Sequence, residues 1–160
     1  MNDQDPMLAW VSLIHTASHL RAGLEDTFQS SLGISLAEQD LLRQISVNPE
    51  PLTLSELAGR LYFSKAGITK MMDRLEAQKL LRRVPCPNDR RSLRAELTPK
   101  GKTTFKKSLA VLHNYVETNF IDHLSGSQIS GLNKTLRTLL QGNNVWDGQM
   151  AHLRGEDHGE

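Results

Sequence analysis

The chain has 160 residues, 38% hydrophobic and 23% charged, with a formal net charge of +1; such a composition suits one globular domain and excludes a disordered, collagen-like or disulfide-stapled chain. No apolar run approaches the roughly 20 residues of a membrane-spanning helix, and Met1 to Met7 carries acids but no Lys or Arg, unlike a secretory signal. A cytoplasmic protein with no membrane partner is expected, and the single cysteine, Cys86, suits a reducing compartment and excludes both an internal disulfide and a thiolate zinc site.

Over residues 7–31, Trp10, Leu13, Ala17, Leu20, Leu24 and Phe28 recur at three-and-four spacing, the stripe of a long amphipathic helix. Gly33 breaks it, and Ser35-Leu36-Ala37-Glu38 is a capping box that opens a second helix running to about Val47. Pro49 and Pro51 stop that helix, because a proline disfavours helical geometry in the residue before it. Thr53-Leu54-Ser55-Glu56 is another capping box, with Leu54, Leu57, Ala58 and Leu61 inward. A tight corner at Tyr62-Phe63 follows, and Ser64 caps a helix from Lys65 to Gln78 whose inward face is Ile68, Met71, Met72 and Leu75.

Two short runs, Leu80 to Cys86 and Leu93 to Leu97, flank Pro87-Asn88-Asp89-Arg90-Arg91-Ser92 and predict a β-hairpin. Thr98-Pro99 opens a fifth helix with the stripe Phe105, Leu109, Leu112, Val116 and Phe120. Ser125-Gly126-Ser127-Gln128 is a third box, and Ile129, Leu132, Leu136 and Leu139 give a sixth helix its apolar face to about Gln141. Residues 142–160 are polar, glycine-rich and aperiodic; a mobile tail is expected there, with Val145-Trp146 able to dock.

The small net charge conceals a segregation. Residues 60–107 hold 14 Lys and Arg against 4 Asp and Glu, and the rest of the chain holds 5 against 14. A basic block of this kind is the footprint of a polyanion-binding surface, since each phosphate neutralised releases condensed counterions. A capped short helix, a corner and a second helix form the pattern of a helix–turn–helix, whose second helix enters the major groove of duplex DNA. Ala66, Thr69, Lys70, Asp73 and Arg74 lie on its outward face with Gly67 to one side, and Ser64 and Lys65 open the helix. At the hairpin tip, Arg90 and Arg91 can enter the minor groove, with Asp89 as a local brace. The same residues also fit a solvated turn and an exposed helical face.

The runs Leu54-Ser-Glu-Leu-Ala58, Ser64-Lys-Ala-Gly-Ile-Thr-Lys70, Met72-Asp-Arg-Leu-Glu76, Asp89-Arg-Arg-Ser92 and Leu97-Thr-Pro-Lys-Gly101 resemble the MarR family of bacterial transcription regulators. The resemblance implies a mainly α fold with a small β-hairpin wing, a winged helix–turn–helix lobe over residues 35–98, and dimerisation helices over 1–34 and 99–141. It implies a homodimer on a palindromic site, with Arg91 of the wing's Asp-x-Arg motif as the minor-groove residue. Repression of nearby genes by occlusion is the default expectation, the sign of regulation depending on where the operator lies relative to the promoter; the resemblance also implies release by a small aromatic or phenolic effector, for which Trp10, His15 and His19 are the candidates on the first helix. His15 and His19, one turn apart, fit an anion or metal pair or plain surface residues. The family's redox-sensing branch has its cysteine near the start of helix one, unlike Cys86, and Tyr62 stands where helix–turn–helix corners often have glycine.

Glycine-rich phosphate loops, metalloprotease helices and nucleophile elbows are absent from the sequence, so neither an enzyme nor a bound cofactor is expected. The alternative is a protein-interaction module that uses the winged fold without reading DNA, because fold alone does not determine function.

Overall fold

The computed structural model describes residues 5–48, 50, 52–86 and 93–143. In chain order these form α1 (Pro6–Leu32), α2 (Leu36–Val47), α3 (Leu54–Leu61), α4 (Lys65–Ala77), β1 (Leu81–Pro85), β2 (Leu93–Leu97), α5 (Pro99–Asn119), a 3₁₀ turn (Ile121–His123) and α6 (Gly126–Gly142). This is the mainly α fold with a hairpin wing that the caps and periodicities predict. The 3₁₀ turn is an addition, and it takes Phe120 off the end of the predicted fifth helix. Gly142 closes α6 rather than opening a tail, and Val145-Trp146 lies outside the described residues. Among those residues no helix is long and apolar enough to cross a membrane.

The chain divides into two compact units, one ending at Tyr115 and the other starting at Val116. In the first, the core gathers Ile34 from the α1–α2 turn, Leu41, Leu42 and Ile45 from α2, and Leu57 and Ala58 from α3. Ile68, Met72 and Leu75 from α4 join Leu80, Leu81 and Ala95 from the hairpin. Leu54, Leu61, Met71 and Phe105 pack around it half-buried. Ala58 is the small residue that lets α3 and α4 cross closely. β1 and β2 pair antiparallel with Leu81 opposite Leu97 and Pro85 opposite Leu93. The segment before α3 extends this sheet, since Thr53 bridges Arg94 and the Ala95 N–H donates to the Leu52 carbonyl at 3.3 Å.

Helix ends are closed by side chains the sequence names and by two backbone turns it does not reveal. Ser35, Thr53 and Ser125 all form complete capping boxes. Tyr62 sits in the left-handed region at φ 55° and ψ 33°; its N–H donates to Gly59 and that of Phe63 donates to Ala58 at 3.1 Å, a Schellman closure of α3. Lys79, at φ 60°, closes α4 the same way, its N–H reaching Glu76 and that of Leu80 reaching Leu75, both at 2.9 Å. Each non-glycine residue held there costs about 1 kcal/mol.

In the Thr53 box, the Thr53 backbone N–H and hydroxyl both donate to Glu56 Oε2 at 2.7 Å. These two hydrogen bonds, backbone first, hold the Glu56 carboxyl below its ordinary range, slightly opposed by desolvation and aided by Arg60. A lowered folded-state pKa means that the box stabilises fully above the ordinary carboxylate range and is lost as pH falls through the lowered value. Replacing Glu56 by Gln is expected to flatten that acid limb in a denaturation series across pH, leaving the neutral-pH limb unchanged in slope.

Burial stops short along α1. Of its 27 residues only Phe28 is buried, and Met7, Trp10, Val11 and Ile14 are exposed. In the second unit, α6 buries none of its residues, and Leu139 is 47% exposed.

Candidate nucleic-acid interface

α4 begins where Ser64 Oγ accepts the Gly67 N–H at 3.1 Å. A Cβ on Gly67 would sit 3.3 Å from that hydroxyl oxygen, a close contact that the Ser64 side chain would have to ease by a few tenths of an ångström. Lys65, Ala66, Thr69 and Lys70 are exposed on the helix, and Gly67 is half-buried. The ion pairs among the described residues bypass Lys65 and Lys70, so both ammonium groups are available to an outside anion. Thr69 gives its hydroxyl proton to the Lys65 carbonyl at 2.9 Å and keeps its oxygen as an acceptor.

Arg74 is placed differently. Its Nε stands 3.3 Å from Oε1 of Glu38, a carboxylate only 2% exposed. Its Nη2 donates at 3.4 Å to Gln29 Oε1 and to the Gly33 carbonyl. The guanidinium thus ties α4 to the α1–α2 corner. Asp73, on the outward face, is held by Arg83 of β1: Nη2 of Arg83 is 2.7 Å from Asp73 Oδ1, and Nη1 is 2.7 Å from Glu76 Oε2. Reading along the chain misses Arg83, although the two-residue alternation of β1 puts it on the same face as buried Leu81.

On the hairpin, Arg82 faces Glu96 across the ladder at 2.9 Å, and Arg94 reaches the other oxygen of Glu96 at 3.4 Å. The Arg82 pair, whose guanidinium is exposed, contributes about 0.2–1 kcal/mol. Asp89, Arg90 and Arg91 lie in the connection between the strands, outside the described residues.

The effector candidates all lie on exposed positions of α1, and Trp10 is 61% exposed. At about 100° per residue, His15 and His19 fall within about 40° of each other while Trp10 points about 180° from His19. One face of α1 therefore brings the two histidines together and leaves Trp10 out. Among the described residues, no group of three or more His, Cys, Asp and Glu side chains is placed to hold a metal ion.

A helix–turn–helix with α4 outward, followed by a two-stranded hairpin, defines a winged helix–turn–helix protein. A MarR family profile matches residues 32–92, from the end of α1 to the connection before β2. The HTH-type transcriptional regulator PecS of Dickeya dadantii is 31% identical over 101 residues, 62% of this chain; the chain spans 60% of that relative's length. AbsC, a MarR family transcriptional regulator from Streptomyces coelicolor, has a TM-score of 0.75 at 27% identity, covering 91% of this chain and 97% of its own. Sco3205, another MarR family regulator from Streptomyces coelicolor, solved in complex with DNA, has a TM-score of 0.74 at 26% identity over 88% of this chain and 92% of its own. The chain is thus similar to the MarR family in sequence over residues 32–92 and in fold over most of its length.

Proposed function

We propose that this chain is a sequence-specific transcription regulator, not an enzyme, that binds double-stranded DNA as a homodimer in the cytoplasm. The observation that carries the proposal is the exposed face of α4, where Lys65 and Lys70 enter none of the ion pairs among the described residues and Thr69 keeps a hydroxyl oxygen as acceptor, beside a basic hairpin. Sco3205, bound to DNA in its crystal structure, supports the same use of this fold. α4 enters the major groove, and Arg90 and Arg91 of the wing reach the adjoining minor groove with Asp89 bracing them.

The unburied stripe of α1 and the uncovered faces of α5 and α6, each taken by itself, support dimerisation through residues 1–34 and 99–141. Two equivalent heads require half-sites about 10 base pairs apart, and occupancy of a palindromic operator near a promoter represses the adjacent genes. A small aromatic or phenolic ligand releases the DNA by favouring a spacing of heads the operator does not fit. Of the three candidates on α1, the pair His15 and His19 suits the acid group of such a ligand.

The test is binding of the purified chain to the DNA upstream of its own gene across a salt series. Wild type is expected to bind with a steep negative salt dependence, and Lys70→Ala and Arg91→Ala are each expected to lose about tenfold or more in affinity. Binding that is insensitive to salt and to both substitutions would favour an apolar protein-interaction surface instead.

A further inference from the structure

The acidic residues of α4 pose a problem for any polyanion-binding role. Thr69, Asp73 and Glu76 follow one another at four- and three-residue spacing, so two carboxylates share the helix face that displays Thr69. Asp73 is 61% and Glu76 38% exposed, and both would repel an approaching phosphate.

Arg83 answers both charges from below. It is only 19% exposed. Besides its ion pairs to Asp73 and Glu76, both at 2.7 Å, its Nη2 donates to the Thr69 carbonyl at 3.2 Å, and its own backbone N–H donates to Glu76 Oε1 at 3.1 Å. Four bonds therefore join one strand of the wing to one face of the reading helix. The forked guanidinium can meet two carboxylates and a carbonyl at once; an ammonium is a single point charge and cannot span them.

We propose that Arg83 is a positioning residue for DNA binding: it locks the wing to α4 and offsets one of the two negative charges that Asp73 and Glu76 place on the DNA-facing side. The inference rests on the DNA-binding function proposed above. Arg83 needs no contact with DNA; it acts through the orientation of the wing and through the charge it cancels. Arg82, its neighbour, is 66% exposed and, among the described residues, engages the hairpin's own Glu96, so it serves as the matched control.

The experiment is a fluorescence-anisotropy titration of the duplex that wild type binds, repeated across a salt series, with circular dichroism to verify folding of each variant. Arg83→Met is expected to weaken binding about tenfold at low salt, with the deficit shrinking as salt screens the exposed carboxylates. Adding Asp73→Asn and Glu76→Gln to Arg83→Met is expected to restore most of the loss, and Arg82→Ala is expected to bind within about twofold of wild type. Arg83→Lys, which preserves charge and is the milder change should Arg83→Met fail to fold, is expected to fall between wild type and Arg83→Met. Wild-type affinity in Arg83→Met, or in Arg83→Lys if that is the folded variant, would overturn the inference and leave the DNA-binding function standing. A loss that neutralising both carboxylates does not relieve would also overturn it. No duplex binding by wild type itself would sink the DNA-binding function and this inference with it.

Discussion

Gly101→Ala is expected to destabilise the chain by about 3 kcal/mol, the upper end for overpacking a dense interior. Gly101 is buried in the first turn of α5, and a Cβ there would lie 1.8 Å from the Leu80 carbonyl oxygen and 2.8 Å from its carbon. The obstacle is backbone and cannot rotate away. It is also anchored: the Leu80 carbonyl accepts the Thr98 N–H at 3.1 Å and the Thr98 hydroxyl at 3.2 Å, and the same hydroxyl oxygen caps the Gly101 N–H at 3.0 Å. Lys100 adds a bond to the Gln78 carbonyl at 2.9 Å. Moving Leu80 aside would loosen a side chain that is 2% exposed in the core. Helix propensity alone predicts the opposite sign, since alanine is favoured over glycine inside a helix by up to about 1 kcal/mol. Gly59→Ala, at an exposed position in α3 with nothing within 4 Å of a Cβ, should display that gain. Urea denaturation of the two variants beside wild type decides the matter; equal or greater stability in Gly101→Ala would mean that α5 and Leu80 are not in contact.

The contrast between these glycines marks what a single sequence reveals. Helix starts were legible because a cap acts over three residues: Ser35, Thr53, Ser64 and Ser125 each bond the backbone that their spacing indicates. The core of the first unit was legible for the same local reason, as the inward positions of α3 and α4 follow from helical period. Contacts between distant residues were not. Nothing near Gly101 in the sequence announces the Leu80 carbonyl, and nothing near Asp73 announces Arg83. The stripe of α1 has the period the sequence indicates, yet Trp10 and Ala17 on it are exposed, and helical period alone does not say what covers a stripe. Tyr62 was recognisable as an unusual corner residue; its left-handed backbone became visible only with the fold. On the candidate interface, Lys65 and Lys70 stand as the outward face of α4 requires. Arg74, on that same face by helical period, has a side chain long enough to turn back, and the presence of Glu38 beside it depends on how α2 packs.

That turn defines the second large effect. Arg74→Met is expected to cost about 2 kcal/mol, because it leaves Glu38 a buried carboxylate without its counter-charge. The lower figure than for a fully buried pair follows from Arg74 itself, whose side chain is 50% exposed and lets water approach the pair. Glu38 cannot turn away, since its other oxygen, Oε2, accepts the Ser35 N–H at 2.8 Å as half of the capping box of α2. Glu38→Gln preserves an acceptor for that N–H while removing the charge, so Arg74→Met combined with Glu38→Gln is expected to regain most of the loss in a double-mutant cycle. The same pair of variants separates anchoring from DNA contact. If Arg74 serves the reading helix only by fixing it to the α1–α2 corner, the stabilised double variant binds duplex DNA as wild type does. If its guanidinium also meets a phosphate, the double variant is stable and still weak, with a shallower salt dependence than wild type. The three contacts that the Arg74 side chain makes within the chain, to Glu38, Gln29 and the Gly33 carbonyl, favour the first outcome.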